Sequence, residues 1–214
     1  MRHEMLPFEC LNDVVTPYTM LTPPRLANLY AIARGLVAEG ALVECGVWNG
    51  GSAAMMAMGS PERDLWLLDS WEGLPLPGPE DVINKPALLR GGACKGDELQ
   101  VARLLLGVLG FAPSRLHMIK GWYADVLPSV CECVGQVAML HLDCDFYDSV
   151  SLCLTHLWPL VAADGVVVVD DYGHFPGCRK AVDSFFAGQG VMPRLRPVDY
   201  TAVNIFKAEV AVAP

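Results

Sequence analysis

Five short apolar runs recur along the chain, each bounded by turn-forming residues: Ala41–Cys45 (ALVEC), Leu65–Asp69 (LWLLD), Arg115–Lys120 (RLHMIK), Val137–Leu142 (VAMLHL) and Val166–Asp170 (VVVVD). Their near-continuous Val and Leu content predicts strands buried on both faces. Between and around them lie stretches of helical period, Leu26–Ala38, Ser52–Gly59, Asp97–Gly110, Ser149–Ala163 and Cys178–Ala187. Strand and helix in alternation predict a doubly wound α/β fold, a mostly parallel sheet with helices on both faces and right-handed crossovers. After the fifth run, Pro193–Lys207 alternates apolar and polar positions through DYTAVNIFK, which suits a terminal antiparallel pair at the sheet edge.

Two segments break the rhythm. Leu74–Ala93 contains Pro75, Pro77, Pro79, Pro86 and the pair Gly91-Gly92, so a long loop of the kind used as a lid is expected. Thr16–Arg25 (TPYTMLTPPR) is also Pro-rich and leads into a helix able to lie across the mouth of a ligand site.

Composition narrows the function classes. With 53% hydrophobic residues in 214, the chain can bury a large core. Fifteen basic residues against 24 acidic ones give a net charge of −9, which excludes nucleic acid as a partner on electrostatic grounds. No apolar run approaches the ~20 residues that cross a bilayer, so no membrane role is expected. The opening MRHEMLPFECLNDVV carries acids where a secretory leader would be apolar, and a cytoplasmic protein is read from it. Eight cysteines scattered through apolar segments suit buried thiols better than a disulfide framework, and Cys131-Glu132-Cys133 lacks the second pair a zinc site needs. Assembly into a homo-oligomer is left open.

Ligands of an open α/β sheet bind beyond the carboxyl ends of its strands, so the residues at those ends matter most. The first run ends in Glu44-Cys45-Gly46-Val47-Trp48-Asn49-Gly50-Gly51, which is either a tight strand-to-helix turn or a turn that lets a ligand approach the backbone closely. The second ends in Asp69-Ser70, where a carboxylate either holds a ribose diol or caps the next turn. The third leads into Gly121-Trp122-Tyr123, with rings that could stack on a base or belong to the core. The fourth and fifth end in Asp143-Cys144-Asp145 and Asp170-Asp171. Four carboxylates at neighbouring strand ends repel in a dry pocket, and an oxygen-ligated hard ion such as Mg²⁺ removes the conflict; four solvated loop acids are the plainer alternative. Asp148 reads as an N-cap for a helix from Ser149, His141 as a core histidine, and His174 as a substrate contact or proton relay.

ECGVWNGGS, LLDSWEGLP, KGWYADVLP, HLDCDFYDS, VVVVDDYGHFPGCRKAVDSFF and DYTAVNIFK resemble, in the same order and at similar spacing, the macrocin-type (TylF-like) O-methyltransferases, from about Thr19 to Lys207. The resemblance implies a class I methyltransferase fold that uses S-adenosylmethionine and Mg²⁺ to methylate a hydroxyl of a small acceptor, commonly a sugar of a secondary metabolite. It implies a cofactor site around Thr19, Met20, Glu44, Gly46, Trp48, Asp69, Ser70, Gly121 and Trp122. It further implies metal ligation by Asp143, Asp170 and Asp171, with Asp143 also the candidate general base; His174, singled out by its place in the loop after Asp171, is the second catalytic candidate. Residues 1–40 would then form an N-terminal helical lid segment and 41–214 the methyltransferase domain. Two other classes remain open at this level. Asp143-x-Asp145 with Asp170-Asp171 also fits an Mg²⁺-dependent aspartyl-phosphate phosphatase, although residues 146–169 hold no Lys or Arg, and the cofactor turns alone fit a non-catalytic nucleoside-binding module.

Overall fold

The computed structural model describes residues 8–81 and 91–212. Seven strands form one sheet in the order β3-β2-β1-β4-β5-β8-β7, with β1 (Ala41–Cys45), β2 (Leu65–Asp69), β3 (Leu116–Lys120), β4 (Val137–Leu142) and β5 (Val161–Val169) all parallel. The last two, β7 (Leu195–Pro197) and β8 (Val203–Phe206), pair antiparallel to close one side. A separate ribbon joins β6 (Val191–Met192) to β9 (Ala211–Val212). This is the doubly wound sheet with an antiparallel C-terminal edge that the alternation predicts.

Two apolar layers sandwich the sheet. On one face Val43, Leu140, Leu142, Val167 and Val169 meet α5 (Tyr123–Cys133), α6 (Tyr147–Leu157) and α7 (Pro176–Gly188). On the other, Leu42, Leu67, Met139, Val166 and Val168 meet α1 (Phe8–Val15), α2 (Pro23–Arg34), α3 (Gly51–Gly59) and α4 (Glu98–Ala102), which continues in wider turns over Arg103–Val108. Strand alternation puts Glu44 and His141 in that second layer, fully buried and paired at 2.8 Å between Oε1 and Nδ1. His141 is thus the core histidine expected from its position.

Several boundaries differ from expectation. The helix read over Ser149–Ala163 starts at Tyr147 and ends at Leu157, because Pro159 opens a 3₁₀ turn and β5 already begins at Val161. Asp148 lies inside its first turn and is no N-cap. The carboxylate that receives the Tyr147 amide is Asp81, 66 residues earlier, at 2.9 Å; its other oxygen accepts the Gly78 amide. Asp81 therefore fastens the start of the Pro-rich loop to α6, while residues 82–90 of the loop read as Leu74–Ala93 lie outside the described residues. The helix read over Leu26–Ala38 begins earlier, at Pro23, and stops at Arg34, where the Gly35 N–H donates to the Ala31 and Ile32 carbonyls.

Candidate active site

A cavity of about 500 Å³ opens at the carboxyl ends of the parallel strands. The sheet hydrogen bonding continues past the strand ends, Gly46 N–H to Leu68 O, Asp143 N–H to Cys45 O and Asp170 N–H to Leu142 O, and so fixes the loop residues in register. Of the residues singled out in the sequence, Thr19, Met20, Gly46, Trp48, Asp69, Ser70, Gly121, Trp122, Asp143, Asp170, Asp171 and His174 all line this cavity. Glu44 does not. One residue before Cys45, its side chain points into the layer beneath and is occupied with His141.

On the β1–β2 side, the Asp69 carboxylate organises the wall. Its Oδ2 accepts the Val47 and Trp48 amides at 2.8 and 2.9 Å, and Oδ1 accepts the Trp71 amide at 2.7 Å. Trp48 and Trp71 both sit at left-handed φ, 50° and 51°, and the Trp71 indole N–H donates to Trp48 O at 3.0 Å. Bulky residues avoid that region, so these three amide bonds hold a strained turn in place. Close packing within the chain by itself requires two of the glycines. A Cβ on Gly46 would lie 1.8 Å from Asp143 O, and one on Gly51 would lie 2.6 Å from Thr19 Cβ. They allow the acidic loop and the N-terminal segment to pass against the turn.

On the β4–β5 side, one carboxylate oxygen from each of Asp143, Asp170 and Asp171 falls within a 4.8 Å group. Burial, then the charges of Asp170, Asp171 and Asp145, push the Asp143 carboxyl well above the usual carboxylate range. Burial, then Asp145 and Asp170, do the same to Asp171, whose carboxyl group hydrogen-bonds Asp145. Asp170 is raised too, mainly by burial, with His141 and Arg25 holding part of the rise back. Its Oδ1 is buried and has no hydrogen-bond partner among the described residues. Three converging hard oxygen donors, raised carboxyls and an orphaned carboxylate oxygen suit a divalent cation of the Mg²⁺ type.

Sequence reasoning does not single out Arg25 as a site residue. From the first turn of α2 its Nη1 reaches Asp170 Oδ2 at 2.5 Å and its Nε reaches Asp199 Oδ2 at 2.8 Å, with its side chain buried. Burial opposes the charge, but Asp170 and Asp199 outweigh it and hold the guanidinium firmly protonated. One signal was available: a cation in the first turn of a helix opposes the helix dipole, so its placement calls for acids supplied from elsewhere. At the mouth, Met20, Trp122 and Tyr200 expose apolar surface, and His174 is exposed in the loop after Asp171.

Known proteins resemble this chain in sequence and in fold. The sequence profile of the macrocin-O-methyltransferase (TylF) family matches residues 12–207. The 8-demethyl-8-(2,3-dimethoxy-α-L-rhamnosyl)-tetracenomycin-C 4'-O-methyltransferase of Streptomyces olivaceus is 31% identical over 87% of this chain and 74% of its own length. The demethyldecarbamoylnovobiocin O-methyltransferase of Streptomyces niveus is 30% identical over the same shares, 87% and 74%. Among solved structures, the O-methyltransferase NovP superposes with a TM-score of 0.78 at 28% identity, covering 89% of this chain and 82% of NovP.

Proposed function

Because the chain belongs to the macrocin O-methyltransferase (TylF) family, we propose that it moves the methyl group of S-adenosylmethionine to a hydroxyl of a glycosylated small molecule, with Mg²⁺ held by Asp143, Asp170 and Asp171. The observation that carries the reading is the meeting, in one cavity, of the Asp69-bound turn with three carboxylates from two strand ends. The phosphatase and non-catalytic alternatives fall away with membership of a methyltransferase family.

Bound S-adenosylmethionine supplies an electrophilic methyl group, and a bound divalent cation makes the acceptor hydroxyl more acidic. The chain's own residues do the rest. The turn from Gly46 to Trp48, Asp69, Ser70 and the Gly121-Trp122 turn form the cofactor wall, with Thr19 and Met20 closing it from the N-terminal side. Asp69 has three of its lone pairs on backbone amides and keeps acceptor capacity for a ribose hydroxyl. Glu44 lies beneath the cavity, paired with His141. Asp143 would take the hydroxyl proton, and the cavity would hold cofactor and acceptor side by side. His174 meets the acceptor at the mouth. Relatives named for rhamnosyl-tetracenomycin and novobiocin substrates support a sugar hydroxyl as the target, and the apolar rim of Met20, Trp122 and Tyr200 suits the aglycone attached to it.

Incubation with methyl-labelled S-adenosylmethionine and a panel of deoxysugar glycosides tests the reading. Label should appear on the glycoside, vanish with EDTA and return with Mg²⁺. Transfer that persists in rigorously cation-free enzyme would overturn the cation's part, and absence of transfer to any glycoside would overturn the acceptor class.

A further inference from the structure

Arg25 stands where local physics disfavours it. It is the third residue of α2, after Pro23 and Pro24, in the turn where the helix dipole repels a cation. Its side chain is only 10% exposed. Two acids compensate, from parts of the chain 145 and 174 residues away. One is Asp170, a carboxylate of the acidic cluster. The other, Asp199, is itself pinned: its Oδ1 accepts the Thr201 and Ala202 amides, both at 2.9 Å, and its Oδ2 also accepts the Thr22 hydroxyl at 3.2 Å. Thr201 closes the circuit by donating its hydroxyl to the backbone carbonyl of Asp170 at 2.6 Å. The guanidinium is thereby fixed at both ends, with the Tyr200 ring 5.5 Å from its centre.

A planar guanidinium engaging Asp170 through Oδ2 restricts rotation of that carboxylate and leaves Oδ1, buried and without a hydrogen-bond partner among the described residues, as its remaining donor. We propose that Arg25 is a positioning residue for the cation: it holds Asp170 by Oδ2 so that Oδ1 is presented to the ion, and Asp199 is its anchor. The proposal rests on the reading of Asp143, Asp170 and Asp171 as cation ligands. It differs from a counter-charge role, in which Arg25 would take the place of the ion and its loss would free Asp170 to bind the ion more tightly.

Mn²⁺ is the probe, with free ion followed by its electron paramagnetic resonance signal against the full chain without cofactor. Groups that orient metal ligands typically contribute 10–100-fold in affinity. Arg25→Gln is expected to weaken Mn²⁺ binding by about that factor. Arg25→Lys keeps the charge but lacks the fork that spans two carboxylates, so it should weaken binding similarly. Asp199→Asn, which loosens the anchor without touching a ligand, should weaken it to a smaller extent. Asn28→Ala removes the reciprocal Asn28–Asn204 hydrogen bonds from the same helix and should leave Mn²⁺ affinity unchanged, which separates orientation from general loosening of α2. If the Gln variant does not fold, the Lys and Asp199→Asn variants decide. Full affinity in Arg25→Lys, or tighter binding in Arg25→Gln, overturns the proposal while leaving the cation site standing. Absence of Mn²⁺ binding by the unaltered protein overturns the cation site and the proposal together.

Discussion

Asp69 and Trp48 lie 21 residues apart in sequence, yet the carboxylate of the first receives the backbone amide of the second at 2.9 Å. The bond joins the end of β2 to the turn after β1 at a point where Trp48 holds a left-handed backbone. This wall of the cavity is therefore set by a carboxylate of the chain itself.

Removing that carboxylate should act through the turn as well as through any direct contact. Asp69→Ala is expected to lower affinity for S-adenosylhomocysteine by about 1.5–3 kcal/mol, the scale of hydrogen bonds to a charged group. Isothermal calorimetry on the folded variant measures it, and unchanged affinity would show that this turn is no part of the cofactor site.

Gly46 has no room for a side chain. Its φ is +91°, and a Cβ would meet the Asp143 carbonyl oxygen at 1.8 Å, a backbone atom that cannot swing aside. Gly46→Ala should destabilise the fold by about 3 kcal/mol or more, through strain and displacement of the acidic loop together. Urea unfolding provides the number; a loss below about 1 kcal/mol would mean the two loops separate easily.

Turnover and cofactor binding should come apart at the acidic cluster. Asp170→Asn and Asp143→Asn are expected to cut kcat by roughly 10²-fold or more, on the order of a lost general base, while S-adenosylhomocysteine affinity changes by less than about threefold. Asp143→Asn should be the more damaging, because the same group takes the proton. Equal losses in both quantities would place these acids in cofactor binding instead.

The cluster also predicts an unusual stability profile. Burial first, and the neighbouring carboxylates second, raise the Asp143 and Asp171 carboxyls above their unfolded values. A raised acid contributes stability that is complete below the unfolded pKa of about 4 and is lost as pH climbs through the folded one. The cation-free protein should therefore lose thermal stability from about pH 5 upward, and Mg²⁺ should restore it. Asp199 has the opposite sign. Burial works against its charge, but the Ala202 amide, Arg25 and the Thr201 amide prevail and bring it to about 2, so its contribution is complete above the unfolded pKa of about 4 and is lost as pH falls through the folded value. Thermal melts from about pH 5 to 8 in EDTA and in Mg²⁺ test this; a flat EDTA profile would contradict the raised values.

The strand ends were legible in the sequence because a parallel sheet buried on both faces leaves a nearly unbroken apolar run, and the residues just past such a run must lie at the ligand edge. Ala41–Cys45, Leu65–Asp69 and Val137–Leu142 coincide with their runs residue for residue. Periodicity could not carry any contact between distant segments. Asp148 looked like a cap because it adjoins the helix, whereas the carboxylate that receives the helix amide comes from Asp81 in another loop. Glu44 looked like a cofactor residue because it adjoins the glycine turn, but strand alternation sends it to His141. Arg25 drew no attention, since neither of its acids is near it in sequence.

The span of those contacts has a consequence for how the chain is assembled. Synthesis delivers α2 early, with a guanidinium and with Asn28, whereas Asp170, Asp199 and Asn204 emerge 145 to 176 residues later. Closing so long a loop costs only slightly more than closing a short one, yet contacts of such separation slow folding, and the Asp199 and Asn204 pairs must wait for the segment of the antiparallel edge to be made. The N-terminal wall of the cavity is thus made first, and its anchor Asp199 among the last residues of the site. A chain released before Asp199 would retain the five parallel strands and still lack a finished site.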